Sequence, residues 1–143
     1  MFRTLMTSAA IAIALGGTAF AETHEVLMLN KGETGRMVFE PLSLRIAAGD
    51  TVKFVATDKG HNAESGEGMI PEGAEPFAGK ISQDFEVTLT EPGVYGVICK
   101  PHFTMGMVMA IAVGEDAEAP GDFLEGRLPK KAKERYEDAL SGL

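Results

Sequence analysis

The residues most capable of chemistry lie in one short segment in the last third of the chain. Cys99, the only cysteine, is followed closely by His102 and Met107. A thiolate, an imidazole and a thioether at this spacing can converge on one soft metal ion, and the distant His61 would add a second imidazole. Two imidazole nitrogens, one thiolate and a weak axial thioether are the ligands of blue-copper sites, so the segment predicts one copper ion.

The competing interpretation of Cys99 is a buried, inert thiol, which is common for a free cysteine. Tyr95, Val97 and Cys99 fall on one face of a strand by period 2, so the sulfur is expected to point toward apolar neighbours. A cysteine standing alone would favour that interpretation. The nearby His102 and Met107 favour a metal ligand instead.

Three methionines compete for the axial position. Met105 precedes Gly106 and is expected in the turn itself, at the surface. Met107 and Met109 share a strand face, with Met107 nearer the loop. Met107 is therefore the predicted ligand, and Met109 is expected to pack in the core.

His61 is identified as the second imidazole by elimination. The chain has three histidines, and His24 lies near the expected start of the mature chain. A histidine after a glycine turn is, taken alone, more often solvated than ligating. The following residue, Asn62, is expected to tie this loop to the ligand loop by hydrogen bonds.

Pro101 restrains the loop between Cys99 and His102. Its ring fixes its own φ at about −65° and biases Lys100 toward extended conformations, so the loop is bent in advance. Pro101 also has no N–H to donate to the thiolate. Both properties are expected to influence a redox potential at this site.

Short strands separated by glycine, proline and acidic turns account for residues 24–114. Phe85 to Leu89 alternates apolar and polar side chains, whereas Val108 to Val113 is almost wholly apolar, as expected of a strand buried on both faces. Many short strands with frequent turns predict an all-β antiparallel sandwich or barrel. The predicted strands are Val26–Leu29, Leu42–Ile46, Val52–Val55, Phe85–Leu89, Val94–Cys99 and Val108–Val113.

The C-terminal tail has a different pattern. Pro129 suits a first helical turn, and after it apolar residues recur at helical spacing. This face consists of Ala132, Tyr136, Ala139 and Leu140. A shorter helix after Pro120 is predicted to hold Phe123 and Leu124. The simplest placement of such a tail is against the barrel as a lid; a solvated helix that binds a partner is the alternative.

The N-terminal segment is typical of a secretory signal peptide. Arg3 precedes the apolar stretch Leu5–Leu15, and Ala19-Phe20-Ala21 is a cleavage pattern. The stretch is shorter than the ~20 residues of a membrane span. Export and removal of residues 1–21 are therefore expected, with an uncleaved anchor as the alternative. No second apolar span follows, so the mature protein is expected to be soluble.

The charge balance limits the possible partners. The formal net charge is −8, and loss of Arg3 with the leader would make it more negative. Charge repulsion between the acidic protein and the phosphate backbone therefore disfavours duplex nucleic acid as a general partner. A single cysteine allows no internal disulfide, and it excludes a dinuclear copper centre that needs two cysteines.

Several motifs together resemble the cupredoxin family and, within it, the pseudoazurin branch. The metal motif is specific to blue-copper proteins, and the match extends through the helical tail. The motifs are Gly60-His61-Asn62, Glu91-Pro92-Gly93-Val94-Tyr95 and Cys99-x-Pro101-His102-x-x-Met105-Gly106-Met107.

The resemblance implies an eight-stranded Greek-key β-sandwich with a C-terminal helical extension. Together with the signal-peptide pattern, it divides the chain into residues 1–21 (leader), 22–114 (copper-binding domain) and 115–143 (helical extension). It also implies a single type 1 copper held by His61, Cys99, His102 and Met107, cycling between Cu(II) and Cu(I). The expected role is periplasmic electron delivery to a copper nitrite reductase or another denitrification enzyme, with a cytochrome-type donor and a monomeric state.

His102 is the expected port for electrons. Phe103, Met105 and Gly106 in its loop, with Pro101, form a small apolar patch suited to brief contact. Four lysines in or beside predicted loops could steer an acidic partner, or could be dispersed solubilising charges. They are Lys31, Lys59, Lys80 and Lys100.

Two other functions compete with electron transfer. A periplasmic copper carrier or chaperone could use the same ligands but would need exchangeable metal, which a closed site with four ligands disfavours. A hydrolase could pair Cys99 as nucleophile with His102 as base. No third orienting group or oxyanion hole is evident for such an enzyme, and Met107 would have no role in it.

Overall fold

The computed structural model describes residue 17 and residues 20–143. The predicted leader, residues 1–21, therefore lies almost wholly outside the described residues. Within the described residues, the structure has eight strands, a 3-10 helix over Lys100–Met105 and one α-helix. The strands are β1 (Thr23–Gly32), β2 (Gly35–Glu40), β3 (Ser43–Ile46), β4 (Thr51–Val55), β5 (Glu64–Ser65), β6 (Phe85–Thr88), β7 (Gly93–Ile98) and β8 (Val108–Val113), and the helix is α1 (Lys130–Ser141).

The strands form two four-stranded sheets, which confirms the predicted eight-stranded sandwich. One sheet has the order β2-β1-β4-β6 and the other β3-β8-β7-β5. The β1–β4 and β3–β8 pairs are parallel, and the other pairs are antiparallel. Strands β2 and β5 were not predicted, because glycine and charged residues interrupt the apolar pattern of β2 and β5 has only two residues.

The inner faces of β7 and β8 build the part of the core that carries the ligand segment. Tyr95, Val97 and Cys99 all enter the buried cluster between the sheets, as their period-2 spacing predicted. All six residues of β8 are buried. Ile111 joins the same cluster, whereas Val108 enters a second cluster beneath α1, so β8 is buried on both faces as predicted.

Helix α1 covers the outer face of β8 with its apolar side. Ala132, Tyr136 and Ala139 are buried, as the helical spacing predicted. The Tyr136 hydroxyl donates a hydrogen bond to the Val97 carbonyl at 3.1 Å, and its ring meets Phe123 edge to face. The helix therefore anchors directly on β7, the strand that leads to Cys99.

The predicted short helix after Pro120 is wrong. Residues 121–124 form turns, in which the Phe123 N–H bonds to the Pro120 carbonyl at 3.0 Å. Glycines at 121 and 126 flank the segment and make a helix costly. Phe123 is nevertheless buried against Tyr136, so tertiary packing fixes it without a helix.

Among the residues described, none belongs to a helix with the length and apolarity needed to cross a membrane.

A carboxylate fixes the start of β1 beside the turn before β4. Asp50 Oδ1 accepts the Glu22 N–H at 2.9 Å, and Oδ2 accepts the Ala47 N–H at 3.0 Å. His24 Nε2 lies 2.9 Å from the same Oδ2. The Glu22 backbone hydrogen bond, followed by the His24 side chain, holds the pKa of Asp50 below its usual range.

This arrangement predicts an acid-sensitive contribution to stability. The folded pKa of Asp50 is depressed, so its contribution is present above the unfolded value and is lost as pH falls through the folded value. Asp50→Asn is therefore expected to lower the free energy of unfolding at neutral pH and to leave it less changed in strong acid. Urea denaturation of the copper-free protein across the acid range measures this; an equal loss at every pH would contradict it.

Candidate metal centre

Three soft and borderline donor atoms converge at one end of the sandwich. Cys99 Sγ lies 3.8 Å from His61 Nδ1 and 3.6 Å from His102 Nδ1, and the two Nδ1 atoms are 3.1 Å apart. Atoms about 2.0–2.3 Å from one shared ion would have separations of this size. The described residues thus bring together the three strong donors that the sequence indicated.

The ligand loop is shaped by its two ends. Cys99 is extended (φ −98°, ψ 112°) and precedes the 3-10 helix, with Pro101 in the first turn. Gly106 ends that helix in the left-handed region at φ 86°. The Met107 N–H then bonds to the His102 carbonyl at 3.1 Å, and the Cys99 N–H bonds to the Met107 carbonyl at 2.9 Å. Two backbone bonds therefore close the loop at its base.

The three methionines occupy different environments. Met107 is fully buried and belongs to the same cluster as Cys99. Met109 is also buried in that cluster, on β8 opposite Val97. Met105 is 44% exposed, which excludes it from the buried donor set. Met107 is joined to both Cys99 and His102 by backbone hydrogen bonds, which place its backbone directly beside the ligand loop.

The His61 ring nitrogen that faces away from Cys99 is hydrogen-bonded to Asn30, a residue that the sequence analysis did not identify. The ring is fully buried, and its Nε2–H donates to Asn30 Oδ1 at 2.8 Å. This bond fixes the proton on Nε2 and leaves the Nδ1 lone pair facing Cys99 and His102. No local pattern identifies Asn30, because it lies 31 residues from His61 in the chain.

Asn62 connects the His61 loop to the ligand loop. Its Oδ1 accepts the Lys100 N–H at 2.8 Å, and its Nδ2 donates to Glu64 Oε2 and to the Gly79 carbonyl, both at 3.1 Å. The side chain is buried and fully hydrogen-bonded. The position of Cys99 is thereby linked to that of His61 through one amide.

Burial disfavours the charged forms of Cys99 and His61. Desolvation raises the pKa of the Cys99 thiol, although the backbone N–H groups of Asn62 and His102 oppose this. Desolvation, followed by the charge of His102, lowers the pKa of His61. A bound cation that replaces the thiol proton would supply the missing positive charge, and a thiolate with neutral imidazoles is the donor set that copper prefers. The residues therefore fit a copper ion.

The residues expected to form a docking surface are not all exposed. Pro101 is exposed, and Phe103 and His102 are half-buried. Gly106 is buried, and a Cβ there would lie only 2.9 Å from the Lys131 carbonyl oxygen. Gly106 therefore contacts α1 and offers no surface to a partner. Lys31, Lys59, Lys80 and Lys100 are all exposed.

A second group of potential ligands exists in the described part of the chain, formed by Glu22, His24 and Asp50. It contains no sulfur, and the hydrogen bonds to Asp50 already account for its geometry. His24 is thus separate from the donor set around Cys99. The hydrolase interpretation is disfavoured as well, because the Cys99 thiol is fully buried and cannot reach a substrate.

Comparison with known proteins agrees with this geometry. The sequence profile of the copper-binding proteins of the plastocyanin/azurin family matches residues 26–114. The chain is 49% identical to a pseudoazurin of Paracoccus pantotrophus over 138 residues, covering 96% of this chain and 95% of that protein. The crystal structure of a pseudoazurin from Methylobacterium extorquens AM1 superposes with a TM-score of 0.79 at 37% identity, covering 84% of this chain and 98% of that one. A pseudoazurin from Hyphomicrobium denitrificans gives a TM-score of 0.75 at 38% identity, with coverages of 85% and 98%.

The hydrogen bond behind His61 predicts the effect of altering Asn30. Asn30→Leu removes the acceptor of the Nε2 proton, and loss of such a partner typically lowers metal affinity about 10- to 100-fold. Asn30→Asp keeps an acceptor oxygen and is the matched control. Titration of each copper-free variant against a competing chelator measures the affinity; equal affinities for Asn30→Leu and the parent would contradict the assignment.

Proposed function

The chain belongs to the plastocyanin/azurin family of copper-binding proteins, and from this we propose that it is a periplasmic blue-copper electron carrier. In this proposal His61, Cys99, His102 and Met107 hold one copper ion. The convergence of Cys99 Sγ and the two Nδ1 atoms within 3.8 Å is the observation that carries it.

A copper ion bound to these residues would supply a one-electron couple between Cu(II) and Cu(I). The chain contributes a frame that holds the donors in place. His61 is fixed through Asn30, the Lys100 backbone through Asn62, and the base of the ligand loop by the bonds between Cys99 and Met107. Because these contacts exist within the protein itself, little has to move when the charge at the site changes by one.

The enclosure of the site supports electron transfer over the competing functions. Cys99, His61 and Met107 are fully buried, so four protein donors leave no open position for a substrate. The same burial favours retention of the metal over exchange. A copper carrier with the same ligands would instead lose its copper to a mild chelator within minutes.

His102 is the member of the donor set that approaches the surface. It is half-buried, while Phe103 and the 44% exposed Met105 lie in the same loop. This small apolar surface suits a brief encounter, and redox complexes of this kind often bury less than about 1,200 Å² in total. We assign His102 as the electron port.

The four exposed lysines are connected to the site through their neighbours in sequence. Lys31 follows Asn30, which bonds to His61, and Lys80 follows Gly79, which bonds to Asn62. Lys59 lies two residues before His61, and Lys100 itself donates its N–H to Asn62. This arrangement supports a basic rim around the copper end of an otherwise acidic protein.

The positive charge of the four lysines in that rim favours a redox partner with an acidic surface. We propose delivery of electrons to a copper nitrite reductase or another denitrification enzyme, with a cytochrome-type donor and a monomeric carrier. The leader-like residues 1–21 support export to the periplasm.

The cysteine variant tests the copper site. Copper-loaded protein is expected to be intensely blue from thiolate-to-Cu(II) charge transfer, and Cys99→Ser is expected to lose this colour because serine supplies no sulfur donor. His24→Ala is the matched control and should stay blue, since His24 bonds to Asp50. Visible absorption after loading measures the result; a blue Cys99→Ser protein would overturn the proposal.

The salt dependence of electron transfer tests the basic rim. Rates to an acidic copper nitrite reductase are expected to fall as ionic strength rises, because the Debye length shrinks from about 10 Å at 0.1 M to 3 Å at 1 M. Lys100→Gln should weaken this dependence more than Lys53→Gln, which removes the same charge from the middle of β4. Stopped-flow kinetics measure both. A rate that rises with salt would show that the overall charge of −8 dominates instead.

A further inference from the structure

Arg135, on α1, reaches from the helix to the base of the ligand loop. Its Nη1 donates hydrogen bonds to the carbonyls of Met37 at 2.6 Å and Gly106 at 2.9 Å, with Arg36 farther away at 3.4 Å. One guanidinium nitrogen therefore connects three otherwise separate segments: α1, β2 and the ligand loop. Neither the helical pattern nor the copper motif assigns this residue a role.

The contact with Gly106 acts on the peptide unit that leads into Met107. The carbonyl of this unit accepts from Arg135, and its N–H, which belongs to Met107, donates to the His102 carbonyl at 3.1 Å. Both polar ends of one peptide plane are thus held. Fixing this peptide plane restricts the position of the Met107 Cα atom. The side chain of Met107, the proposed axial donor, extends from that atom.

The contact with Met37 acts near the other side of the site. The β1–β2 ladder pairs Leu29 with Val38 and Lys31 with Arg36, while Asn30 and Met37 face each other between these pairs without pairing. Met37 has a positive φ of 52°, uncommon for a residue with a side chain. Its carbonyl is satisfied by Arg135 instead of by β1.

Asn30, opposite Met37, is left available for the site. Its N–H donates to Asp58 Oδ2 at 2.8 Å, and its Oδ1 accepts from His61 Nε2. Arg135 therefore supports the interrupted part of the ladder from which Asn30 holds His61. The same guanidinium therefore contacts the backbone opposite Asn30 and the backbone that leads into Met107.

The environment of Arg135 shows that its charge is directed at these carbonyls. No carboxylate of the described residues lies within 4.0 Å of its guanidinium, and burial lowers its pKa, partly offset by Asp138. The first turn of α1 is tight against the loop, because a Cβ on Gly106 would meet the Lys131 carbonyl at 2.9 Å. Hydrogen bonds from a charged donor are worth more than neutral ones.

We propose that Arg135 is a positioning residue for the metal centre, which fixes the Gly106–Met107 peptide and thereby sets the thioether placement and the reduction potential. This inference rests on the proposed electron-carrier function. It assigns the C-terminal helix a part in tuning the site in addition to covering β8.

The chain contains a matched control for this role. Arg45 Nη1 also donates to three carbonyls, those of Gly114 at 2.7 Å and of Glu115 and Ala117 at 3.1 Å. Its acceptors begin at the far end of β8, six residues and about 20 Å from the ligand loop. Arg45→Gln therefore removes a three-carbonyl clamp, exposed to solvent, without touching the site.

The test compares Arg135→Gln, Arg135→Lys and Arg45→Gln. In the copper-loaded protein, Arg135→Gln is expected to shift the reduction potential and the ratio of the two visible charge-transfer bands, with Arg135→Lys intermediate and Arg45→Gln unchanged. In the copper-free protein, Arg135→Gln is expected to speed hydrogen exchange of the Met107 amide at least about tenfold, while Arg45→Gln leaves it unchanged.

The outcomes separate the possible explanations. If all three variants keep the parent potential, spectrum and Met107 exchange, Arg135 only anchors the helix and the inference is wrong. If Arg135→Gln does not fold, the comparison of Arg135→Lys with the parent still decides, because lysine cannot reach three carbonyls with one planar group. If the parent itself is not blue, the copper function fails, yet exchange of the copper-free Met107 amide still tests the clamp.

Discussion

The arrangement of this protein depends on holding a thiol and two imidazoles together in a place where burial disfavours the charged forms of Cys99 and His61. Cys99 Sγ and the Nδ1 atoms of His61 and His102 lie within 3.8 Å of one another, and burial shifts the pKa of the thiol upward and that of His61 downward. This group of three donor atoms makes polar contacts of 3.1–3.8 Å within itself. Its geometry must be imposed by contacts made elsewhere, and a cation is what turns the same closeness into a favourable interaction.

The surrounding contacts supply that restraint from three directions. Asn30 holds His61 from the first sheet, and Asn62 holds the Lys100 backbone from the loop that carries His61. From the third side, α1 presses on Gly106 and directs Arg135 at its carbonyl. Each contact is made to backbone or to the far nitrogen of a ligand, so the donor atoms themselves remain free for the metal.

The parts of the fold that the sequence could predict are those encoded locally. Cys99, His102 and Met107 are close along the chain, period-2 and helical spacing identified the buried faces of β7 and α1, and a continuous apolar run identified β8. The parts that escaped prediction depend on long-range partners. Asn30 acts on His61 31 residues away, and Arg135 acts on Met37 98 residues away, so neither leaves a local pattern. The turn that replaces the predicted helix at Phe123 differs, because the glycines at 121 and 126 are a local signal against a helix, and packing on Tyr136 then buries the Phe123 ring.

The C-terminal helix meets two structural requirements at the start of β8. Strand β8 must be buried on both faces, which requires a cover over Val108, and the loop just before it must enter the strand at a fixed angle. A cover made only of apolar side chains would meet the first demand alone. Because α1 offers Tyr136 to the apolar face and Arg135 to the Gly106 carbonyl, one element meets both. Gly106 is then required both because α1 lies so close and because its φ is positive. The sequences of the C-terminal helix and of the ligand loop therefore constrain each other.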